Sequence, residues 1–168
     1  IRVTGLNDAP VISGGTTAQT DKNTATDPVD VLAKATDPDT GETASLVIGT
    51  INGQAVTPGQ TVTLENGDSV TISADGKSLT YNPGTRFSDL GKNDPAGKAE
   101  FSYQVKDVNE ALSNAATVTV TVNGADNPPK VEKQIEDYWK EMKETVVIDL
   151  IADGYFSGQG LTFEITKG

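Results

Sequence analysis

Strict alternation of apolar and polar residues over 115–123 constrains the fold of this chain more than any other feature of its sequence. Three valines there alternate with three threonines: Val118, Val120 and Val122 with Thr117, Thr119 and Thr121. Successive side chains of a β-strand point to opposite faces, so the pattern predicts a strand with one face in a core and the other in solvent. Phe101, Tyr103 and Val105 alternate in the same way. We therefore predict two antiparallel strands joined by the polar turn 107–114.

Several shorter strand-like segments precede this pair, and turn dipeptides separate them. The segments lie at 10–13, 29–35, 44–51, 61–64, 70–73 and 79–82. The turn dipeptides are Asn52-Gly53, Asn66-Gly67 and Asp75-Gly76, since Asn, Asp and Gly tolerate positive φ. Short strands with turns at this spacing predict an all-β sandwich, with a small β-barrel as the alternative.

The amino-acid composition excludes several classes of chemistry. The chain has no Cys and no His, so a disulfide, a thiol nucleophile and a Ser-His-Asp triad are all excluded. The acidic residues concentrate in linkers and turns, so we expect neither a carboxylate-pair glycosidase nor any other enzyme. A net charge of −11 disfavours nucleic acid and anionic lipid as partners, and no apolar run is long enough for membrane insertion. The same charge suits hard cations, above all Ca²⁺.

Two proline-containing linkers divide the chain into domains. G-L-N-D-A-P at 5–10 and G-A-D-N-P-P at 124–129 share a pattern, and each follows a β-like stretch. This repeat of domain size, with the start Ile1-Arg2-Val3, predicts a piece of a longer chain. The predicted parts are a preceding-domain tail with its linker at 1–9, the sandwich at 10–123, a linker at 124–129 and an incomplete second β domain at 130–168.

Four stretches together resemble a known family. They are D-V-L-A-K-A-T-D-P-D at 30–39, S-A-D-G-K-S-L-T-Y-N-P at 73–83, F-S-Y-Q-V-K-D at 101–107 and the linker at 5–10. Their order and spacing are similar to those of bacterial cadherin-like and VCBS-type repeats, which occur in very large secreted adhesins, including the repeats-in-toxin (RTX) class. The resemblance implies a Greek-key β-sandwich of the cadherin/immunoglobulin-like type, followed by part of a second β domain.

The resemblance also implies a function, which is cell adhesion. The chain would be secreted to the bacterial cell surface and act as a calcium-stabilised spacer that projects a ligand-binding region for attachment or biofilm formation. Its partners would be neighbouring domains of the same chain, with a host or surface ligand, sugar or protein, bound through other modules. The alternative is a non-catalytic accessory module, carbohydrate-binding in character, of a secreted polysaccharide-active enzyme.

The loop 37–42, D-P-D-T-G-E, is the strongest candidate for a metal site. Alternate carboxylates with a turn-forming Gly can surround Ca²⁺, which takes about 6–8 oxygen ligands in irregular geometry. An acidic, solvated turn is the alternative interpretation. In an up-and-down sandwich the chain start, this loop and the turn 107–114 share one end. The predicted calcium ligands there are Asn7, Asp8, Asp37, Asp39, Glu42 and Asp107, with Asn109 adjacent. Cadherin-like linkers bind calcium through their Asn-Asp, so the resemblance supports the same site.

A second calcium site is predicted at the other end of the sandwich, on the linker residues Asp126 and Asn127. The acidic and amide residues expected near them are Asp21, Asn23, Asp27, Asp89 and Asp94. Two departures from the family pattern weaken this site, because Lys22 interrupts the first group and Asp153-Gly154 replaces the expected Asp-Pro-Asp. Calcium affinity depends on the number of charged ligands, so we expect the N-terminal site to be the tighter one.

Segment 130–168 leaves two questions open. The apolar spacing over 131–144 favours an amphipathic helix, whereas the resemblance makes this stretch extended or irregular. Strands are predicted at 145–150 and 161–166, in a second domain that is either incomplete or interrupted by an inserted ligand-binding module. Tyr138 and Trp139 serve either as packing anchors or as a stacking platform for sugar rings.

Overall fold

The computed structural model describes residues 5–127, 130–131 and 152–153. Within 5–127, the segments with alternating apolar and polar residues form β-strands. In chain order the strands are β1 (Val11–Ile12), β2 (Thr16–Asp21), β3 (Val29–Asp30), β4 (Ala35–Thr36), β5 (Val47–Ile51), β6 (Gln54–Ala55), β7 (Thr61–Thr63), β8 (Ser69–Ile72), β9 (Ser78–Asn82), β10 (Gly97–Lys106) and β11 (Ala116–Asn123). A short 3₁₀ turn, Thr43–Ser45, precedes β5. The described residues contain no α-helix and no helix long and apolar enough to cross a membrane.

The strands of the first unit form two main sheets around one core. The larger sheet has the order β2-β11-β10-β5-β6, and the smaller has the order β3-β9-β8-β7. Strands β1 and β4 form a separate antiparallel ladder. The chain passes from one main sheet to the other between β2 and β3, between β3 and β5 by way of β4, between β6 and β7, and between β9 and β10. This crossing pattern confirms the predicted all-β, Greek-key sandwich.

The predicted pair β10 and β11 is antiparallel, with Phe101 opposite Val118. Strand β2 joins the same sheet on the other edge of β11 and runs parallel to it, with Thr16 opposite Val118. The end of β10 and the beginnings of β2 and β11 therefore lie at one end of the sandwich. This arrangement brings the chain start and the β10–β11 loop together.

The core consists of the inward faces of the two sheets. Its fully buried members include the three valines of β11 and the tyrosines Tyr81 and Tyr103. The hydroxyl of Tyr103 donates to the Val31 carbonyl at 2.9 Å, and the Tyr81 ring stacks on Phe101 with centroids 6.1 Å apart. The polar tip of each buried tyrosine has a hydrogen-bond partner, which keeps the cost of burial small.

The observed strands differ from the predicted ones at several places. The segment predicted as a strand at 44–51 begins with the 3₁₀ turn and is a strand only over Val47–Ile51, and the short strand β6 was not predicted. The segment predicted as one strand at 29–35 is divided into β3 and β4, because Asp30 Oδ1 accepts hydrogen bonds from the N–H groups of Leu32 at 2.9 Å and Ala33 at 3.1 Å. Such a local Asp turn competes with the sheet for the backbone donors. Strand β2 is absent from the prediction, since its sequence, T-T-A-Q-T-D, holds only one apolar residue.

The second unit comprises 126–168, and the first comprises 1–125. In the second unit β12 (Lys130–Val131) and β13 (Ala152–Asp153) pair antiparallel, with Lys130 opposite Asp153. The predicted strands at 145–150 and 161–166, the choice between helix and extended chain over 132–144, and the roles of Tyr138 and Trp139 lie outside the described residues. The predicted domain limits stay a prediction.

Candidate metal centre

Three segments of the first unit bring their acidic and amide side chains together at one end of the sandwich. From the N-terminal segment, Asn7 Nδ2 donates to Asp107 Oδ2 at 2.7 Å. The backbone N–H of Asp8 donates to Asp39 Oδ2 at 2.9 Å. The segment thus contacts both the loop after β4 and the loop between β10 and β11. We name this group the acidic cluster: Asn7, Asp8, Asp37, Asp39, Glu42 and Asp107.

The loop after β4 folds onto itself through its own polar groups. Asp37 Oδ1 accepts from the Asp39 N–H at 2.8 Å, which is the short-range bond expected of an Asp turn. Thr43 Oγ1 accepts from the Asp37 N–H at 2.9 Å and lies 3.3 Å from the Asp37 carbonyl. Gly41 has a φ of +88°, a conformation that side chains disfavour, so Gly at this position allows the turn that leads to Glu42. The loop predicted from the sequence at 37–42 therefore does form a turn, and Thr43 closes it.

Asp107, directly after β10, accepts hydrogen bonds from several N–H groups. Its side chain is buried, and its Oδ1 accepts from the N–H groups of Asn109 and Ala111, each at 2.8 Å. Glu110 within this turn has a φ of +68°, which is uncommon for a residue with a side chain. The Asn7 amide, followed by the two backbone N–H groups, lowers the pKa of Asp107 below its ordinary value. The lowered pKa favours the ionised form of Asp107.

The donor set fits a hard cation. Asp37, Glu42 and Asp107 each offer one oxygen, and these oxygens lie within 4.8 Å of one another. Asp37 Oδ2 and Glu42 Oε2 are buried and accept no hydrogen bond from any described residue. Buried carboxylate oxygens without a donor are costly, and a cation among them would compensate that cost.

The electrostatics of Glu42 support the same interpretation. Loss of solvation raises the pKa of Glu42, and nearby carboxylates raise it further: those of Asp39, Asp37 and Asp107. Repulsion of this kind disappears when a divalent ion lies among the oxygens. All donors are oxygens, which favours Ca²⁺ over metals that prefer nitrogen or sulfur.

A family model described as the bacterial cadherin-like domain matches residues 7–124. The chain belongs to the bacterial cadherin-like domain family. No curated protein and no solved structure matches the chain. The family match confirms the cadherin-like part of the resemblance found in the sequence, and the matched residues include every residue of the acidic cluster. Cadherin-like domains generally bind calcium, are typically non-catalytic, and are extracellular modules of the adhesion type.

The second predicted calcium site of the cadherin-like protein stays a prediction. Asp126 and Asn127 are exposed residues of the second unit. In the first unit, Asp21 Oδ1 lies 3.4 Å from Asn123 Nδ2, and Lys22 beside it is buried. Within the described part of the chain, no other trio of acidic side chains approaches as closely as Asp37, Glu42 and Asp107.

Some groups that shape the site in the cadherin-like domain are absent from the sequence-based prediction. Thr43 holds the first residue of the acidic loop, and the backbone N–H of Ala111 helps to ionise Asp107. Asn109 was expected beside the site, and its Nδ2 donates to Asn7 Oδ1. The role of Thr43 could have been predicted, because its hydroxyl directly follows the acidic loop in the sequence. The role of the Ala111 N–H could not, because a backbone donor is the same in every residue except Pro.

Proposed function

We propose that this chain is a calcium-stabilised spacer and adhesion module of a large secreted bacterial surface adhesin of the RTX class. It projects a ligand-binding region for attachment or biofilm formation. Its partners are neighbouring domains of the same chain, and a host or surface ligand, sugar or protein, is bound through other modules. The membership in the cadherin-like family supports an extracellular role of the adhesion type.

The observation that carries the proposal is the contact of the N-terminal segment with carboxylates of the loop after β4 and of the loop between β10 and β11. Asn7 and Asp8 belong to the linker-like stretch 5–10, yet they bond to Asp107 and Asp39 of two separate loops. An ion held by these carboxylates ties the linker to the body of the sandwich. A linker fixed in this way holds a neighbouring domain at a defined angle, which is what a spacer requires.

Each part of the cluster has a distinct role in holding the ion. Asp37 and Glu42 supply the buried oxygens that accept no hydrogen bond from described residues. Asp107, ionised by its donors, supplies the fixed negative charge between the two loops. Asp8 and Asp39 bond to one another through the Asp8 N–H, and we assign their carboxylates the remaining places in the ligand set. Bound calcium neutralises the mutual repulsion of these groups and thereby stabilises the folded domain.

The alternative role as a carbohydrate-binding module has no support among the described aromatic residues. Tyr81, Phe101 and Tyr103 are buried in the core, and Phe87 is partly buried. A sugar ring stacks on an exposed aromatic face, and none of these four side chains offers one. Tyr138 and Trp139, on which that alternative depends, lie outside the described residues.

Small-angle scattering of a protein with two tandem copies of residues 1–129 tests the spacer mechanism. With millimolar Ca²⁺ we expect an extended particle with a narrow distance distribution, because the ion fixes the linker between the copies. In EDTA the distribution should broaden and the mean radius should fall. A tandem carrying Asp39→Ala should scatter with calcium as the unaltered tandem does in EDTA. Identical profiles of the unaltered tandem with and without calcium would refute the spacer role.

A further inference from the structure

The side chain of Asn114 forms two hydrogen bonds with the backbone of a single distant residue, Ile12. Its Oδ1 accepts from the Ile12 N–H at 2.9 Å, and its Nδ2 donates to the Ile12 carbonyl at 3.0 Å. A primary amide can satisfy one donor and one acceptor at the same time. Asn114 therefore takes the place of a neighbouring strand beside β1.

Asn114 is itself held firmly by the residue before it. Ser113 is buried, and its Oγ donates to the Asn114 carbonyl at 2.8 Å while accepting from the Val105 N–H at 3.1 Å. Gln104 Nε2 donates to the Ser113 carbonyl at 2.7 Å. These bonds join the Asn114 backbone to β10. The two bonds to Ile12 thus connect β1 to the central strands of the larger sheet.

The three segments that carry the acidic cluster meet at this connection. Asp107 and Asn114 belong to the same loop between β10 and β11. Ile12 lies opposite Ala35 in the ladder of β1 with β4, and Asp37 follows directly after β4. Asn7 and Asp8 precede β1 in the same segment as Ile12. The Asn114 side chain therefore links the loop of Asp107 to β1. The ladder of β1 with β4 continues this link to the loop that begins at Asp37.

We propose that Asn114 is a positioning residue for calcium in the acidic cluster. The proposal rests on the proposed function, since it requires that the cluster binds calcium. Asn114 makes no hydrogen bond to a carboxylate of the cluster among the described contacts, and it is exposed to solvent. It acts by holding β1, and with it Asn7 and Asp8, against the loops that carry the other ligands. A site held in place before the ion arrives has less ordering to undergo on binding.

Calcium titration calorimetry on the full chain tests this role with the variants Asn114→Ala and Asn114→Leu. Removing residues that orient metal ligands typically weakens metal affinity about 10- to 100-fold, so we expect the calcium Kd to rise roughly ten-fold or more. Leu preserves the approximate shape of Asn without its hydrogen bonds, so it serves if the Ala variant folds poorly. Asn82→Ala is the matched control, because Asn82 Oδ1 accepts only a local bond from the Gly84 N–H at 2.9 Å.

A second readout, amide exchange, checks that the variants break the bond to Ile12, while the calcium Kd separates positioning from plain stabilisation. In both Asn114 variants the Ile12 amide should exchange with solvent faster than in the parent chain, since its acceptor is lost. A parent chain that binds no calcium overturns the proposed function and this inference with it. A parent chain that binds calcium, with Asn114 variants of unchanged Kd, overturns this inference alone, whether or not their melting temperature in EDTA falls. A raised Kd in both variants, with the Kd of Asn82→Ala unchanged, supports it.

Discussion

The two ends of the sandwich balance buried charge in opposite ways. At the acidic cluster, buried carboxylate oxygens of Asp37 and Glu42 have no donor among the described residues. At the other end, where β11 finishes, the charged groups of the protein pair with one another. Arg86 Nη1 lies 2.6 Å from Asp68 Oδ2, and Asp68 is completely buried. The second oxygen of this carboxylate, Asp68 Oδ1, accepts no hydrogen bond from the described residues, but its charge has a cationic partner in Arg86. On the proposed function, the first end depends on an external cation, whereas the Asp68 carboxylate at the second end pairs with a cation of the protein itself.

The end without the acidic cluster is joined to the sheets by several further contacts. The hydroxyl of Tyr81 donates to Asp68 Oδ2 at 2.7 Å, and burial raises the pKa of Tyr81, so this donor stays protonated. Lys22 is buried, and its Nζ donates to the Ser88 carbonyl at 3.3 Å. A side chain on Gly124 would meet the Gly91 carbonyl at 1.9 Å, so only Gly fits where the chain leaves β11. We therefore expect this end to keep its structure in the absence of calcium.

The largest effect is expected from Arg86→Met, which removes the cation from the buried pair and retains an apolar stem against Phe87. Leaving Asp68 buried without its charged partner should lower the free energy of unfolding by about 3 kcal/mol. Because Asp68 pairs with a protein cation rather than with a metal ion, the loss should be equal in calcium and in EDTA. Urea denaturation under both conditions measures it.

Lys98→Met is the control for this variant, since Lys98 pairs with Glu100 at 2.8 Å on the surface and both side chains are more than half exposed. Exposed ion pairs contribute little to stability, so the control should be almost neutral. An Arg86→Met loss that appears only in EDTA would contradict the division between the two ends.

Neutralising the acidic cluster should change stability in opposite directions with and without calcium. Glu42→Gln and Asp37→Asn remove repulsion between neighbouring carboxylates, so each should raise the melting temperature in EDTA. Each also removes a ligand charge, so each should reduce the increase that calcium produces. Glu65→Gln, the same change on an exposed residue outside the cluster, should alter neither value. Lower melting temperatures of both cluster variants in EDTA would show that no repulsion is present.

The position of the acidic cluster could be predicted from the sequence, because it follows from the order and direction of the strands. Alternation in β10 and β11 fixed the strand pair, and an up-and-down order of strands was enough to bring Asn7 near Asp107. The division of β3 from β4 was not predictable from periodicity, since it depends on which backbone donors the Asp30 side chain reaches. Strand β2 was missed because its pairing with β11, rather than its own apolar content, makes it a strand.

The buried pair of Asp68 and Arg86 could not be predicted in the same way. Asp68 follows an Asn-Gly turn, where an Asp usually points to solvent, and Arg86 lies in a separate loop after β9. Their contact depends on the three-dimensional position of Tyr81, whose hydroxyl reaches the same carboxylate. Sequence patterns report periodicity and turns, and they carry little information on contacts between two loops.

The smallest of these effects is a pH dependence of the calcium-free protein. Because the pKa of Glu42 is raised above 4.5, the native state binds a proton in the range just above 4.5 that the unfolded chain does not bind. Stability should therefore rise as the pH falls from neutrality through the raised pKa. Below about 3.8 the trend should reverse, since the lowered pKa of Asp107 means that its stabilising bonds are lost on protonation. Melting curves in calcium-free buffer should show the rise in the parent chain and not in Glu42→Gln.

Thermal melting of the full chain in millimolar Ca²⁺ and in EDTA tests the central claim most directly. A ligand that binds only the native state stabilises it by about 2.7 kcal/mol at a concentration 100 times its Kd, so calcium should raise the melting temperature clearly. Asp39→Ala should lose most of the increase, whereas Asp75→Ala, in the hairpin turn between β8 and β9 and not a member of the cluster, should keep it. Superimposable curves of the parent chain in calcium and in EDTA would contradict the account, because the acidic cluster would then hold its charges without an ion.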